Sequence, residues 1–166
     1  MSALPDWVRT LPTATLAGAL GIEIVELTND RVLATMPVDE RTRQPYGLLH
    51  GGASIALAET VASLGAAGRV DRERFVVVGQ EINGNHIRAA KDGLVRAVGV
   101  PIHVGRTSQV WSIEIRDEQD RLVCISRCTL AAIEKGARGH EGVRDQGQAV
   151  RPDAPGPDPE SPSPDP

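Results

Sequence analysis

Glu59 is the residue of this sequence best suited to acid–base or nucleophilic chemistry. It is the only ionisable residue between Gly51 and Gly68, in a segment rich in alanine and glycine. A carboxylate is seldom buried without a partner, because removing its charge from water is costly. Glu59 therefore either lies on the exposed strip of a half-buried helix, or faces a partly desolvated cleft as a base or nucleophile.

The run His50-Gly51-Gly52 stands at the predicted start of the same helix. A helix N-terminus offers unpaired N–H groups and the positive end of the helix dipole, which can bind an anion or a developing oxyanion. Glycine in the first turn also lets a ligand carbonyl approach the backbone. Taken alone, however, the run is better explained as a turn in the chain, with His50 as an ordinary polar residue.

Other polar residues could bind a ligand, although each has a plainer interpretation. Gln44 could donate an amide N–H to a carbonyl oxygen, or could be an ordinary loop residue. Asn85, His86 and Arg88 stand at the end of a predicted strand, and Arg106 stands in a Gly105-Arg106-Thr107 turn. A guanidinium suits phosphate, yet most surface arginines bind nothing in particular.

Together, these segments resemble the motif of hotdog-fold thioesterases. The resemblance rests on residues 44–54 (QPYGLLHGGAS), 58–60 (AET) and Ser63, and extends to residues 81–88 and 110–115. It covers roughly Leu16 to Ile133. The group that it matches contains the phenylacetate-pathway, 4-hydroxybenzoyl-CoA, enterobactin-proofreading and dihydroxynaphthoyl-CoA thioesterases.

The resemblance implies a role for each of these residues. Glu59 would be the catalytic carboxylate, as nucleophile or as base for water. The Gly51 N–H would polarise the thioester carbonyl with help from Gln44. His50 would support the loop or the carbonyl, and Ser63 would orient the carboxylate or the attacking water. The substrate-binding residues that it implies are Leu64 in the acyl pocket, Asn85, His86 and Arg88 near the pantetheine and nucleotide, and Arg106 near a phosphate.

The resulting hypothesis is a thioester hydrolase that acts on an aromatic or aliphatic acyl-CoA, without a metal ion or a cofactor. One alternative is a thioesterase that acts on acyl groups of a carrier-protein phosphopantetheine. A second is a non-catalytic acyl-CoA-binding hotdog protein, and a third is a hotdog dehydratase. Glu59 together with the His-Gly-Gly run favours hydrolysis over dehydration.

The elements that must position these residues follow from hydrophobic periodicity and turn residues. We expect a short helix over 13–20, strands over 22–27 and 31–38, and one long helix over Gly51–Ala67. Four strands should follow, over 75–87, 93–104, 107–116 and 121–133. This order predicts an α+β hotdog fold, with an antiparallel sheet wrapped around one long central helix. We expect this domain over 1–135, followed by a disordered Pro-rich tail over 136–166.

Bulk composition narrows the partners. The net charge is −4 and no Lys/Arg block occurs, so nucleic acid is not an expected partner. No apolar run reaches the roughly 20 residues of a membrane span, and no signal peptide is recognisable, so we expect a cytoplasmic protein without a membrane partner. Cys124 and Cys128, four positions apart on a predicted strand, are about 13 Å apart, too far for a disulfide.

The spacing of Gly51 and Glu59 predicts a shared site. Eight residues of helix separate them by about 12 Å along the axis, yet both must reach one thioester. Two helices lying antiparallel across a two-fold axis would bring Gly51 of one chain beside Glu59 of the other. We therefore expect a homodimer with shared active sites. The resemblance also implies such a dimer, and with it we expect further pairing into a homotetramer.

Overall fold

The computed structural model describes residues 4–136. Its three helices are α1 (Asp6–Arg9), α2 (Leu16–Ala19) and α3 (Gly51–Ala67). Its six strands are β1 (Glu23–Leu27), β2 (Val32–Pro37), β3 (Phe75–His86), β4 (Leu94–Val104), β5 (Ser108–Arg116) and β6 (Leu122–Glu134). The bounds of α3 are those that the sequence predicts, and every strand bound lies within one residue of its prediction.

The first helical region differs from its prediction. The helix expected over 13–20 is reduced to α2, because the Thr15 side chain accepts a hydrogen bond from the Gly18 N–H at 3.3 Å and caps a single turn. Gly21, at a φ of 69°, then leads the chain into β1. Helix α1 was not predicted.

The six strands form one antiparallel sheet in the order β1-β2-β4-β5-β6-β3. Helix α3 packs against one face of this sheet and contacts all six strands. The core between them is mostly aliphatic, and its one aromatic side chain, Trp111, is fully buried. An antiparallel sheet wrapped around one long helix confirms the predicted hotdog fold.

A buried polar chain fixes the last turn of α3 against β5. The Trp111 indole N–H donates to the Gln109 amide oxygen at 3.1 Å, and the Gln109 amide donates to the Ala66 carbonyl at 3.2 Å. Gly65 lets the helix approach this ring, because a Cβ atom there would overlap the indole. Trp111 and Gln109 are both buried, and their polar side-chain groups both have hydrogen-bond partners.

Helix α3 buries only one of its faces within the described residues. Its buried positions are Ala53, Ser54, Leu57, Ala58, Val61, Ala62, Gly65 and Ala66. Ile55, Ala56, Glu59, Thr60, Ser63 and Leu64 stay half-buried. The helix is apolar nearly all round, so its second apolar face is left only partly covered by its own chain.

Strand β3 contains a bulge that changes which residues face α3. Gly79 pairs with Leu130 and Glu81 pairs with Thr129, so Gln80 is an extra residue on β3. Since strand side chains alternate, this extra residue reverses the alternation. Val77 and Gly79 face the helix before the bulge, and the even-numbered positions from 82 to 86 face it afterwards, opposite buried residues of β6.

The predicted tail over 136–166 lies outside the described residues except for Gly136, so its disorder and the domain boundary stay predictions. Among the helices within residues 4–136, none combines the length and the apolar character needed to cross a bilayer.

Candidate active site

The start of α3 is organised by His50. This residue is the N-cap, with extended backbone angles, and its Nδ1 accepts a hydrogen bond from the Gly52 N–H at 2.8 Å. The imidazole therefore accepts the N–H of Gly52, the second residue of the helix. Within residues 4–136, no group accepts the N–H of Gly51. The helix thus presents one free donor at the positive end of its dipole.

The loop before α3 orients Gln44. Its amide oxygen accepts the Tyr46 N–H at 2.8 Å, and its backbone N–H donates to the Leu48 carbonyl at 2.8 Å. With the oxygen engaged, the amide nitrogen is the end available to donate to a ligand. The loop is also anchored at its close, where the His50 N–H donates to the Thr42 carbonyl at 2.8 Å.

His86 and Arg88 lie beside the free Gly51 donor. A Cβ atom at Gly51 would stand 2.6 Å from His86 Nε2, so glycine at this position leaves room for the imidazole. The cavity here has a volume of about 450 Å³, and we call it the Gly51 pocket. It is lined by Gln44, Tyr46, Leu48, Leu49, His50, Gly51, Ser54, His86, Ile87, Arg88, Ala89 and Val123.

Glu59 lies two turns further along α3 and is half-buried. Its carboxylate occupies the space above Gly79 of β3, where a Cβ atom would stand 2.5 Å from Glu59 Oε1. Burial raises the pKa of the Cys128 thiol to about 11, and the negative charges of Glu59 and Glu81 add to the rise. The Glu59 carboxylate therefore lies half-buried against the edge strand β3, close to the buried Cys128 thiol.

A second cavity, the Glu59 pocket, opens beside this carboxylate. It has a volume of about 670 Å³ and is mostly apolar. Its lining from α3 consists of Ala56, Glu59, Thr60, Ser63 and Leu64. The remainder comes from β1 and from the chain that precedes it: Leu4, Val8, Arg9, Leu11, Pro12, Thr13, Thr15, Leu16, Ala17, Gly18, Ile22 and Ile24.

The two pockets divide the predicted site residues between them and share no lining residue. The Glu59 pocket contains Glu59, Ser63 and Leu64. The Gly51 pocket contains Gln44, His50, Gly51, His86 and Arg88. One chain therefore brings together each half of the predicted site but not the two halves.

Asn85 and Arg106 line neither pocket. Asn85 pairs with Ile125 on the side of the sheet away from α3. Arg106 stands in the β4–β5 turn, two residues before Ser108. Ser108 and Val78 both pair with Ala131 of β6, one from each side. This turn is thus at the opposite end of β3 from His86.

Three features of the site were not predicted. Gly79 and Gly84 hold open the face of β3 that receives Glu59 and Ile55. Two glycines within one strand are the available signal, because glycine in a strand marks a close approach by another group. The third feature, the wall of the Glu59 pocket formed by residues 4–18, has no signal in the periodicity of the sequence.

Comparisons with known proteins identify the family of this chain. The model of the thioesterase superfamily matches residues 46–124. ComA2 of Bacillus subtilis strain 168 is 60% identical over 121 residues, which are 73% of this chain and 96% of that protein. The 1,4-dihydroxy-2-naphthoyl-CoA hydrolase of Escherichia coli K12 is 50% identical over 118 residues, 71% of this chain and 86% of that enzyme.

Solved structures show the same likeness. The thioesterase HI1161 of Haemophilus influenzae superposes with a TM-score of 0.77 at 44% identity, over 84% of this chain and 97% of that one. The thioesterase SAV0944 of Staphylococcus aureus gives a TM-score of 0.69 at 41% identity, over 70% and 97%. It was crystallised with a glutamine replaced by alanine, and separately with a glutamate replaced by alanine 15 positions later.

Proposed function

The chain belongs to the thioesterase superfamily and is a thioester hydrolase, and from this premise we propose that it hydrolyses an acyl-CoA with Glu59 as the catalytic carboxylate. The observation that carries the proposal is the pairing of two features on one helix. These are a partly desolvated carboxylate beside an apolar pocket and a free Gly51 N–H at the helix start. The Escherichia coli relative is also named as the hydrolase of a CoA thioester.

The reaction requires an activated oxygen nucleophile and a stabilised oxyanion. Glu59 either attacks the thioester carbon itself or removes a proton from a water molecule that attacks it. The carbonyl oxygen becomes negative and accepts hydrogen bonds from the Gly51 N–H and the Gln44 amide. When the carbonyl re-forms, the C–S bond breaks and CoA leaves as a thiolate, which takes up a proton. On the direct-attack route this leaves an anhydride between the acyl group and Glu59, which water then hydrolyses to release the acid and regenerate the carboxylate. The products are the free acid and CoA.

Support for Gln44 and Glu59 as partners comes from their spacing. They are 15 positions apart, the same separation as the glutamine and glutamate replaced in Staphylococcus aureus SAV0944. His50 contributes by capping α3, which fixes the Gly51 N–H toward the ligand. Ser63, one turn after Glu59 and in the same pocket, orients the carboxylate or the attacking water.

We further propose that each active site forms between two chains. Helix geometry separates Gly51 from Glu59 by about 12 Å, and the two pockets share no residue. In the described sheet β3 is an edge strand 12 residues long, without a proline or a lysine to block pairing. Antiparallel pairing of β3 with a second copy, centred between Ile82 and Asn83, would place Gly79 opposite the partner subunit's His86. Glu59 would then lie beside the partner subunit's Gly51.

The same arrangement orders the rest of the substrate. The acyl group occupies the Glu59 pocket against Leu64, and the pantetheine leaves through the partner subunit's Gly51 pocket, past its His86 and Arg88. Because the β4–β5 turn lies at the Glu59 end of the sheet, Arg106 approaches the same ligand from the other chain and can contact a phosphate. Val100 and Ile102, which are exposed on β4, support a second interface that pairs dimers into a tetramer.

Isotope labelling separates the two roles of Glu59. In a single turnover in ¹⁸O-water, label incorporated into the Glu59 carboxylate demonstrates direct attack through an acyl-enzyme anhydride. Label found only in the acid product, with no intermediate that hydroxylamine traps, indicates general-base catalysis.

The function is tested by incubating the full chain with a panel of acyl-CoAs and measuring release of free thiol. We expect turnover of at least one acyl-CoA, and its loss when Glu59 is replaced by Gln. Acyl-phosphopantetheine carried on an acyl carrier protein is the comparison substrate. Turnover of the carrier-bound thioester without turnover of any acyl-CoA would contradict the proposed substrate.

A further inference from the structure

The outer wall of the Glu59 pocket comes from the N-terminal arm, which we define as residues 4–16. Together with the two residues that follow it, the arm supplies more than half of the residues that line the cavity. The apolar side chains of Leu4, Val8, Leu11 and Leu16 face α3 across the space beside Glu59. The acyl pocket therefore has one rigid wall from a buried helix and one wall from a short terminal segment.

An aromatic contact and a buried side chain tie the arm to the domain. The guanidinium of Arg72, in the loop between α3 and β3, lies over the Trp7 ring, 4.2 Å from its centroid. Such a cation–π pair holds two segments together without needing a specific backbone register. Val8, the next residue, is buried, so α1 is fixed between this contact and the pocket.

The later part of the arm is packed differently. Leu11 is 43% exposed and Leu16 is 67% exposed, although both are large, apolar and line the cavity. Exposed apolar side chains around a cavity are typical of a surface that binds an apolar ligand. The chain itself covers little of the apolar surface of these two leucines. A bound acyl group can therefore bury that surface.

We propose that the N-terminal arm is the specificity-determining wall of the acyl pocket, held in place by the Trp7–Arg72 contact, and that it selects apolar acyl groups much larger than acetyl. The proposal rests on the proposed acyl-CoA hydrolysis. A cavity of about 670 Å³ accommodates a medium-length alkyl chain or a bicyclic aromatic group. An acetyl group is too small to reach from Glu59 to the arm, so its turnover does not depend on the arm.

The test measures kcat and KM for acetyl-CoA, hexanoyl-CoA, decanoyl-CoA and 2-naphthoyl-CoA with wild type and arm variants. We expect Trp7→Ala to lower kcat/KM about 10-fold for decanoyl-CoA and naphthoyl-CoA, and less than about 2-fold for acetyl-CoA. The loss should fall mainly on KM, because the arm contacts the acyl group equally in the ground state and the transition state.

Matched variants connect this effect to the cation–π contact. Arg72→Gln should lower kcat/KM for the bulky substrates about 3-fold, whereas Arg72→Lys and Trp7→Phe should retain most of it. The double variant Trp7→Ala/Arg72→Gln should lose no more than Trp7→Ala alone, because both changes remove one contact.

Three outcomes decide between the proposals. An equal loss for acetyl-CoA and decanoyl-CoA would show that the arm only stabilises the fold, and unchanged selectivity in Trp7→Ala would show that it is not a wall of the pocket. Either result overturns the inference while leaving acyl-CoA hydrolysis intact. If the wild-type protein hydrolyses no acyl-CoA, the proposed function itself fails.

Discussion

The Glu59 pocket and the Gly51 pocket lie along one helix but are built from different groups. The Glu59 pocket is a largely apolar cavity around one carboxylate. The Gly51 pocket is formed by a helix start, a constrained loop and the polar side chains of His86 and Arg88. The first can activate an oxygen nucleophile, and the second can hold a negatively charged oxygen.

This difference is the reason for proposing that the two pockets act together. A carboxylate gains reactivity from partly desolvated surroundings, whereas an oxyanion needs fixed N–H dipoles. A single straight helix separates these two environments by about 12 Å. In the proposed shared site, a second copy of the chain would align the two pockets. The following predictions test each pocket and then their combination.

The largest expected effect belongs to the carboxylate. Glu59→Gln should lower kcat about 1,000-fold or more, because the amide keeps the shape of the side chain but is neither a base nor a nucleophile. Thiol release at saturating acyl-CoA measures the loss, and thermal melting checks the fold. Glu81→Gln is the matched control. Glu81 also lies near Cys128, but its side chain does not line the Glu59 pocket. Near wild-type kcat in Glu59→Gln would exclude this residue as the catalytic group.

A somewhat smaller loss is expected at the oxyanion donor. Gly51→Pro removes the free N–H at the first position of α3, where proline is well tolerated in helices. The extended backbone of His50, at a ψ of 132°, also suits a residue that precedes proline. We expect a decrease in kcat of about 100- to 1,000-fold.

Gly51→Ala separates the lost donor from the added bulk. Its Cβ atom meets His86 just as the proline ring does, but its N–H remains. The alanine variant should therefore retain at least about 10 times the kcat of the proline variant. Equal kcat values for the two variants would mean that crowding of His86, and not loss of the N–H, explains the defect.

Mixing the two inactive variants tests whether the pockets come from different chains. In a dimer of Glu59→Gln with Gly51→Pro, one site carries both lesions and the other carries neither. Unfolding and refolding the variants together makes about half of the dimers mixed, so roughly a quarter of wild-type activity should return. Mass spectrometry confirms that mixed dimers form. If they form and thiol release stays at the level of the separate variants, the site is not shared.

The smallest expected effect is on Cys128, next to the Glu59 pocket. Its pKa of about 11 should fall in Glu59→Gln, because one negative charge near the thiolate is removed. Ultraviolet absorbance of the thiolate, measured in a Cys124→Ser background, follows this titration. An unchanged pKa would show that the Glu59 carboxylate does not lie near this thiol.

The raised pKa of Cys128 also predicts a pH dependence of stability. The pKa of a free cysteine thiol is about 8.5, whereas that of Cys128 in the folded chain is about 11. As pH rises, the unfolded chain therefore loses the thiol proton before the folded chain does. The contribution of Cys128 is therefore complete below a pH of about 8.5 and is lost as pH rises toward 11. Urea unfolding midpoints should show a steeper decline over this window in wild type than in Cys128→Ala.

The main elements of the fold could be predicted because local pattern and tertiary structure agree. The dense small residues and the glycines at both ends gave the bounds of α3, and alternating Val and Ile gave the strands. Helix α1 could not be predicted, because it depends on Val8 and Trp7 finding partners elsewhere in the chain. The extra residue in β3 is equally invisible, since a bulge is defined only against the partner strand.

The residues of the candidate site could be selected from the sequence, but their division between two pockets could not. Glu59 and Gly51 are singled out by residue type and spacing, and Gln44 by its place in the motif. The packing of β3 places His86 in the Gly51 pocket, and the packing of the arm encloses Leu64 in the Glu59 pocket. Arg106 was grouped with His86 as a ligand-binding residue, and only the sheet topology shows that they lie at opposite ends of β3.

The bulge at Gln80 constrains how this chain can evolve. Gly79 accommodates Glu59 on one side of the bulge, and His86 packs on Gly51 on the other. Insertion or deletion of one residue between them would turn one of these two positions away from the helix. We therefore expect a one-residue insertion or deletion in this stretch to be tolerated less well than one in the arm, which lies outside it. Under the proposed roles of Glu59, Gly51 and the arm, the substrate range can therefore change at the arm while Glu59 and Gly51 are retained.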